Sequence, residues 1–325
     1  MKNRRWIGIS VYLLLALLLL FIPLLFNDRY IHLMIIIALN IVLALSIRLV
    51  FLAGELNVGH VAFMGIGAYT SALLATRLGW SFWISLPAAA IVAALVAAVI
   101  GFFALRAKIK GWYFAILTLA FAEAFRLIAT LWKGLTGGAT GVLDIPGPAI
   151  RIPGLPVVDF SSRLNYYYLA LVLVFITWLV MSRLEHSRFG LSLTAVRKSD
   201  ILSESVAINT VKYKVIAFAI GCAFAGVAGS FFAHYYYYVS PYEYTLHQTL
   251  YILLYALFGG IGSLWGPVLG ATILTLLPEF LRIAREYEPA IFGAILIVTI
   301  WLLPEGLVGL RRYITSLRTK LLGRA

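Results

Sequence analysis

Two charged residues lie inside an apolar stretch of the chain, where a charge is costly to keep. Glu123 and Arg126 stand within the apolar run 112–132. A charge at membrane depth costs roughly 2.5–3.5 kcal/mol on insertion scales, and such residues face a bundle interior or a watery cavity. Their i,i+3 spacing places them on one face of a helix, where they can pair. They predict either a structural ion pair or part of a pathway for a polar solute.

A second group of polar residues lies in the glycine-rich segment 54–76. Glu55, Asn57 and His60 stand beside glycines and among apolar neighbours. Backbone that leaves helical geometry is tolerated at membrane depth only when it is buried in protein or lines a watery cavity. Close packing and a solute pathway both fit this segment, which is either a broken span or a re-entrant element. The residues that we expect along a pathway are Glu55, Asn57, His60, Tyr69, Glu123 and Arg126.

Two series of small residues have the four-residue spacing that lets helices approach closely. One lies within 215–235 and the other within 259–271. Small residues at i and i+4 favour helix contact in membranes, although glycine-interrupted segments can also mark the binding site of a transporter. We favour packing for both series. The glycines expected to serve helix packing are Gly221, Gly229, Gly262, Gly266 and Gly270.

The longest charged stretch between apolar runs is 183–214. Ser199 or Asp200 can cap a short helix there, with Glu204 placed where the helix dipole favours a negative charge. Apolar residues recur at helical intervals, which predicts a short amphipathic helix. This helix either lies on anionic lipid head groups or forms a docking surface for a cytosolic partner.

The composition indicates the kind of scaffold that must position these residues. The chain has 325 residues, of which 62% are hydrophobic and 12% charged, and its mean hydropathy is +0.97. A soluble domain carries about 45–50% apolar and about 25% charged residues. The single cysteine excludes an internal disulfide. The net charge of +13 does not indicate a nucleic-acid partner, because the basic residues punctuate the apolar runs as topology signals do.

Apolar runs of about 20 residues recur along the chain, and each is long enough to cross a bilayer as a helix. We expect an all-α, polytopic membrane bundle with about ten passes, or eight if the glycine-interrupted segments are re-entrant. Most Lys and Arg residues fall in loops on one side, which predicts that both termini are cytoplasmic. The expected spans and glycine-interrupted segments are 6–26, 31–53, 54–76, 82–105, 112–132, 166–182, 215–235, 246–258, 265–281 and 289–303.

The motifs of several enzyme classes are missing from the sequence. It has no G-x-x-x-x-G-K-[ST] phosphate loop, no G-x-S-x-G and no H-E-x-x-H, and its five histidines show no metal-ligand spacing. We therefore expect movement of a solute rather than catalysis. The residues alone leave open a self-sufficient, ion-coupled secondary transporter or channel, with Glu55, Glu123 and Arg126 as coupling residues. A membrane-embedded enzyme is the third and least supported alternative.

Several longer segments resemble a known family. They occur in the order and character of the M-type permease subunit of branched-chain amino-acid ABC importers, and the resemblance covers roughly 54–310. The segments are GELNVGHVAFMGIGAYT (54–70), KGWYFAILTLAFAEAFRLI (110–128), LTGGATGV (135–142), the stretch 188–241 that begins RFGLSLTAVRKSD, and LFGGIGSLWGPVLGA (257–271).

The resemblance implies a multi-pass subunit in the bacterial inner membrane. It implies that a second, homologous permease of the H type completes the path, that two cytosolic subunits bind ATP-Mg, and that a periplasmic protein delivers the solute. This chain itself would be non-catalytic and would bind no cofactor. The implied solutes are branched-chain amino acids or related small molecules such as urea and amides.

The resemblance also places an element that couples the permease to the ATPase at about 197–208. It divides the chain into N-terminal spans (1–53), a permease core (54–310) that contains the loop 183–214, and a basic cytoplasmic tail (311–325). The residues expected to serve coupling are Arg197, Lys198, Asp200, Glu204 and Asn209.

Overall fold

The computed structural model describes residues 23, 27–150, 158–160, 162–280, 287–302 and 306–309. The expected first span at 6–26, apart from Pro23, and the expected basic tail at 311–325 lie outside the described residues. The division of the chain into three regions therefore stays a prediction.

Helices make up most of the described chain, which confirms the expected all-α membrane bundle. Six of them are long and apolar enough to cross a membrane. They are α1 (Asp28–Leu52), α2 (His60–Leu78), α3 (Phe82–Arg106), α4 (Trp112–Leu131), α6 (Arg163–Glu185) and α9 (Thr210–Tyr236), and the remaining helices are α5 (Lys133–Thr136), α7 (Arg188–Lys198), α8 (Asp200–Ser205), α10 (Leu246–Gly259), α11 (Trp265–Phe280) and α12 (Glu288–Leu302).

The polar stretch between α4 and α6 folds at one end of the bundle. It contains α5, a 3₁₀ turn at Gly138–Thr140, and the short antiparallel strands β1 (Ala149–Ile150) and β2 (Val158–Asp159). Val142 pairs with Val239, just beyond α9, so both segments lie at this end. Helices α7 and α8 lie at the opposite end, which we call the α7–α8 end.

Helix α9 is the centre of the bundle and packs most extensively against α3 and α2. Its contact with α3 depends on small residues at four-residue intervals, because Ala89, Ala93 and Ala97 are fully buried. An added Cβ at Gly226 would lie 2.7 Å from the Cβ of Ala93. Helices that meet through glycine and alanine approach closely and gain van der Waals contact between their backbones.

Four of the five glycines expected to serve packing lie at close approaches. An added Cβ at Gly221 would lie 2.8 Å from Ser46 O, and one at Gly229 would overlap Met64 O. Gly266 and Gly270 approach the backbone of 255–260 equally closely.

Gly262 is a correction to the expected packing set. It lies in the turn between α10 and α11 rather than on a helix. A Cβ added there would meet no atom within 4 Å. A four-residue spacing places residues on one face only within a helix. Gly262 has the spacing of the series but makes none of its close contacts.

The segment 54–76 is neither broken nor re-entrant. Only 54–59 leaves helical geometry, and α2 then runs unbroken from His60 to Leu78. Gly65 and Gly67 lie within this helix at places where neighbouring segments approach it closely. A Cβ at Gly65 would lie 3.0 Å from Tyr244 Cγ, and one at Gly67 would overlap Gly226.

Candidate functional site

Two short helices replace the single amphipathic helix expected at the α7–α8 end. Ser187 caps α7 by accepting a hydrogen bond from Phe189 N at 3.2 Å. The backbone becomes extended at Ser199, whose hydroxyl accepts from Leu202 N at 3.3 Å and starts α8. Ser199, rather than Asp200, is therefore the cap, and Asp200 is left free to use its carboxylate elsewhere.

A group of charges that is buried at Glu55 and Lys214 and exposed at Lys110 ties α8 to the spanning helices. We call it the ionic cluster (Glu55, Lys110, Asp200 and Lys214). Lys214 Nζ, on α9, donates to Glu55 Oε1 at 2.9 Å and to Asp200 Oδ2 at 3.1 Å. Lys110, just before α4, also pairs with Asp200. Glu55 Oε2 accepts from Gly111 N at 3.0 Å. The cluster thus joins four chain segments through two carboxylates.

Glu55 lies at the buried side of the ionic cluster. The Glu55 side chain is 3% exposed and the Lys214 side chain 7%. The Glu55 carboxylate oxygens are engaged by Lys214 Nζ and Gly111 N, and a role in the solute pathway stays a prediction. Removing one member of such a buried pair leaves an uncompensated charge, which is strongly destabilising.

The charges of the ionic cluster are maintained by mutual hydrogen bonding. Burial alone raises the pKa of Asp200, but the hydrogen bonds from Lys110 and Lys214 outweigh it and hold that pKa below its usual value. The hydrogen bond to Asp200 raises the pKa of Lys110. Both groups therefore keep their charges across the neutral pH range.

The other residues expected to serve coupling surround the ionic cluster. Thr210 Oγ1 donates to Glu204 Oε1 at 2.8 Å, and Asn209 caps α9 by accepting from Lys212 N at 2.9 Å. Arg197 and Lys198 end α7 with exposed side chains. The bond between Thr210 and Glu204 joins the start of α9 directly to α8.

Helices α7 and α8 present large aliphatic side chains on their outer surface, and we call this surface the apolar patch (Leu191, Ile201, Leu202 and Val206). Each of the four is between 67% and 80% exposed. The basic side chains of Arg197 and Lys198 are exposed beside them. An apolar surface bordered by charge marks a site of protein or membrane contact.

Asn57 and His60 are both fully buried. The imidazole of His60 lies 2.8 Å from Ser46 Oγ and 3.1 Å from Asn57 Nδ2, and Asn57 Oδ1 accepts from Gly59 N at 3.0 Å. These hydrogen bonds hold the non-helical segment 54–59 in place, and a place of the two residues along the solute pathway stays a prediction.

Glu123 and Arg126 do pair, as their spacing allows. Arg126 Nε donates to Glu123 Oε1 at 3.0 Å. The pair lies on the outer surface of α4, where the Glu123 side chain is 47% exposed. Because lipid contact is unfavourable for a charge at this depth, this face of α4 fits contact with another protein subunit or with water.

Tyr69 lies in a group of three rings, which we call the aromatic triad (Tyr69, Phe125 and Tyr244). The ring centroids of Tyr69 and Tyr244 are 6.2 Å apart, and Phe125 lies 6.2 Å from the first and 6.3 Å from the second. Among the residues that the structure describes, neither tyrosine hydroxyl has a hydrogen-bond partner. Phe125 precedes Arg126, so the aromatic triad lies beside the charged face of α4.

Three residues of these sites carried no distinct signal in the sequence. Lys214 and Arg48 read as topology charges, and Tyr244 as one of many aromatic residues after α9. Arg48 is buried, and its Nε donates to Ile261 O at 2.8 Å. Its other two guanidinium nitrogens donate to the two carboxylate oxygens of Glu185. It thereby fixes the turn between α10 and α11 at the α7–α8 end. Such contacts join residues that are far apart in sequence, which periodicity does not detect.

Metal chemistry finds no support in the described parts of the chain. No group of three or more His, Cys, Asp or Glu side chains there is arranged to hold a metal ion.

Comparison with known proteins gives a consistent picture. The family described as "Branched-chain amino acid transport system / permease component" matches residues 29–300. The high-affinity branched-chain amino acid transport system permease protein LivM of Salmonella typhimurium is 33% identical over 291 residues, which cover 84% of this chain and 68% of the relative.

Two further relatives are more distant. The high-affinity branched-chain amino acid transport system permease protein LivH of Escherichia coli is 25% identical over 270 residues, which cover 79% of this chain and 86% of the relative. The guanosine ABC transporter permease protein NupQ of Bacillus subtilis is 30% identical over 199 residues, which cover 56% of this chain and 59% of the relative. No solved structure matches the chain.

Proposed function

This chain belongs to the family of branched-chain amino acid transport system permease components, and from that premise we propose that it carries branched-chain amino acids as part of an ABC importer. It forms one half of the membrane path, and a second permease of the LivH type forms the other half. A binding protein delivers the solute on the periplasmic side. Both termini lie in the cytoplasm.

The observation that carries this proposal is the combination of the apolar patch and the ionic cluster on the same short helix. Ile201 and Leu202 of α8 are exposed, whereas Asp200 of α8 is tied to Lys110 and Lys214. An ATP-binding subunit that docks on the apolar patch therefore reaches α4 and α9 through one carboxylate. Movement of α8 is passed to two spanning helices.

The energy for transport comes from the partner subunits. ATP-Mg binds to the two cytosolic subunits and not to this chain, which lacks a phosphate loop. Closure of the ATPase pair pushes on α7 and α8 and changes the side to which the path opens. Each partner drives this change only to the extent that it binds the two states with different affinity.

The solute assignment follows the relatives that cover most of this chain. LivM and LivH are named for branched-chain amino acids, whereas NupQ is named for guanosine and covers 56% of this chain. Leucine, isoleucine and valine are thus the proposed solutes. The ion-coupled carrier is not favoured, because the relatives that cover most of this chain are named as transport system permease proteins. Two of its three expected coupling residues, Glu55 and Glu123, are paired with Lys214 and Arg126.

Co-purification of the assembled complex tests the docking step. The double substitution Ile201→Ser and Leu202→Ser removes apolar contact from the apolar patch, so recovery of the ATP-binding subunits with this chain should fall at least tenfold. The substitution Leu131→Ser is the matched control, because Leu131 is equally exposed on α4. Full recovery of the ATP-binding subunits with the double variant would show that they dock elsewhere.

A further inference from the structure

Helix α10 begins beside the middle of α2 rather than at an end of the bundle. Tyr244 precedes the N-cap residue Thr245, and the Tyr244 ring packs against Tyr69, the middle residue of α2. A Cβ at Gly65, also within α2, would lie 3.0 Å from Tyr244 Cγ. Helix α10 has 14 residues, or roughly 21 Å, and ends at Gly259, close to the turn that Arg48 holds. It is a half-helix that runs from the aromatic triad to the α7–α8 end, with Leu246 and His247 exposed at its start.

The first turn of α10 places positive potential beside the aromatic triad. The first amides of a helix have no intrahelical partner, and Thr245 at the N-cap makes no side-chain hydrogen bond to them. The helix dipole adds a partial positive charge at the same place. Half-helices that begin at mid-membrane in transporters point this end at anionic groups of the solute.

Three buried hydroxyls, two in the aromatic triad and one in the first turn of α10, lack hydrogen-bond partners in the described chain. Tyr69 is 5% exposed, Tyr244 1% and Thr249 0%, and none of their oxygens has a hydrogen-bond partner in the described chain. Thr249 lies in the first turn of α10 itself. Buried side-chain oxygens are nearly always hydrogen-bonded, so these three hydroxyls are available to a polar group from outside the described chain.

We propose that the first turn of α10, with the hydroxyls of Tyr69, Tyr244 and Thr249, binds the carboxylate of the transported solute. This inference rests on the proposed function and adds the place and the chemistry of recognition. The rings of Phe125 and Tyr244 offer an apolar surface to a short aliphatic side chain. The ligand class is therefore an aliphatic α-amino acid.

The site binds a carboxylate without a dedicated cation. Arg126 is adjacent in sequence to Phe125, but its guanidinium is paired with Glu123. Amide and hydroxyl donors stabilise a carboxylate less strongly than a free arginine does, which permits release on the other side. The helix dipole favours a negative charge over a neutral polar group, so it discriminates amino acids from guanosine or urea.

The test uses the complete complex, purified with its partner subunits but without the binding protein. Binding of tritiated L-leucine is measured with L-leucinol as competitor, because leucinol replaces the carboxylate by a hydroxymethyl group. For the wild type, leucinol should compete at least tenfold more weakly than leucine. Tyr69→Phe, Tyr244→Phe and Thr249→Val should each weaken leucine binding about tenfold and change leucinol binding little.

Stability and matched variants separate recognition from folding. Each substitution removes a hydroxyl without a partner, so the thermal midpoint of the complex should not fall. Tyr113→Phe, at an exposed tyrosine, and Thr177→Val, at a threonine whose hydroxyl already donates to Leu173 O, should leave leucine binding unchanged.

The possible outcomes are distinct. Unchanged leucine binding in all three variants, while the wild type shows ATP-driven leucine uptake, would overturn the carboxylate site and leave the proposed function standing. Equal competition by leucinol and leucine in the wild type would overturn it without any variant. Absence of ATP-driven uptake of leucine, isoleucine and valine by the wild-type complex would overturn the proposed function and the site together.

Discussion

Lys214 of the central helix α9 donates a hydrogen bond of 3.1 Å to Asp200 of the short helix α8. The same ammonium group holds Glu55 at 2.9 Å, so one lysine connects the surface helix with the buried segment before α2. A displacement of α8 therefore either breaks this bond or moves α9 and the segment 54–59 with it. This bond is the physical link in the proposed transmission from the ATPase to the path.

Substitution of Asp200 by Asn should uncouple ATP hydrolysis from transport. The amide has nearly the shape of the carboxylate and keeps one acceptor oxygen but lacks the charge, so Lys110 and Lys214 lose the negative charge that they share. We expect uptake by the complete complex to fall at least tenfold while the rate of ATP hydrolysis stays within about twofold of the wild type. Both rates are measured on the same proteoliposomes.

The control for this variant is Asp144→Asn. Asp144 is exposed, lies at the other end of the bundle and has a positive φ that asparagine tolerates. It should leave uptake and hydrolysis unchanged. An equal fall of both rates in Asp200→Asn would argue that Asp200 serves docking rather than transmission.

The buried pair of Glu55 and Lys214 should show a large coupling energy. Lys214→Met leaves Glu55 without its cationic partner at a position that is 3% exposed, whereas Asp200 keeps Lys110. We expect a loss of about 3 kcal/mol in the free energy of unfolding. The double variant with Glu55→Gln should recover part of that loss, since it removes the uncompensated charge of Glu55. Denaturant unfolding in detergent measures the full double-mutant cycle.

Arg29→Met provides the comparison, because its pair with Glu279 is exposed. Exposed pairs contribute about 0–1 kcal/mol. If Lys214→Met and Arg29→Met had equal effects on unfolding, the ionic cluster would not be the buried structural link described above.

The stability of the complex should fall at both extremes of pH. Asp200 has a pKa below its ordinary value in the folded chain, so its contribution is present above its unfolded pKa and is lost as the pH falls through the folded one. Lys110 has a raised pKa, so its contribution is present below its unfolded pKa and is lost as the pH rises through the folded one. Between about pH 5 and pH 9, these two groups should cause no change.

Thermal midpoints measured across the pH range test this expectation. Asp200→Asn should flatten the acid side of the curve, since asparagine does not titrate. If the thermal midpoint fell equally steeply at acid pH in Asp200→Asn and in the wild type, the loss of stability would come from other carboxylates.

Gly229→Ala should disrupt the contact between α9 and α2. The added Cβ would overlap Met64 O, which is backbone and cannot move aside without shifting α2. Overpacking of this kind costs about 1–3 kcal/mol or more, so we expect a clearly lower thermal midpoint and less protein in the membrane. Gly262→Ala is the matched control, because a Cβ there meets nothing within 4 Å. Equal midpoints for the two variants would contradict the described packing.

Local patterns in the sequence predicted the positions of the six long apolar helices. Three further expected spans, at 246–258, 265–281 and 289–303, coincide with helices of only 14, 16 and 15 residues. The apolar run 82–105 matches α3 (Phe82–Arg106) to within a residue, because hydropathy alone determines where a chain crosses lipid. The pairing of Glu123 with Arg126 was also accessible, since it depends only on helical spacing. Ser199 was one of two residues expected to cap the surface helix, and capping again depends on near neighbours.

Contacts between distant segments were not predictable from one sequence. Glu55 and Lys214 are 159 residues apart in the chain, and nothing near either residue indicates the other. The sequence therefore did not indicate that the polar atoms of Glu55, Asn57 and His60 form hydrogen bonds inside the fold. Spacing alone wrongly placed Gly262 in the packing series. It lies in a turn that is held by Arg48, which also binds Glu185, and these two residues come from two other helices.

The source of the energy is the central claim, and reconstitution tests it most directly. Uptake of radiolabelled leucine is measured in liposomes that contain either this chain alone or the complete complex with its second permease, ATP-binding subunits and binding protein. We predict accumulation against a gradient only with the complete complex and ATP, unaffected by an ionophore. Accumulation by the chain alone that collapses with an ionophore would contradict the account.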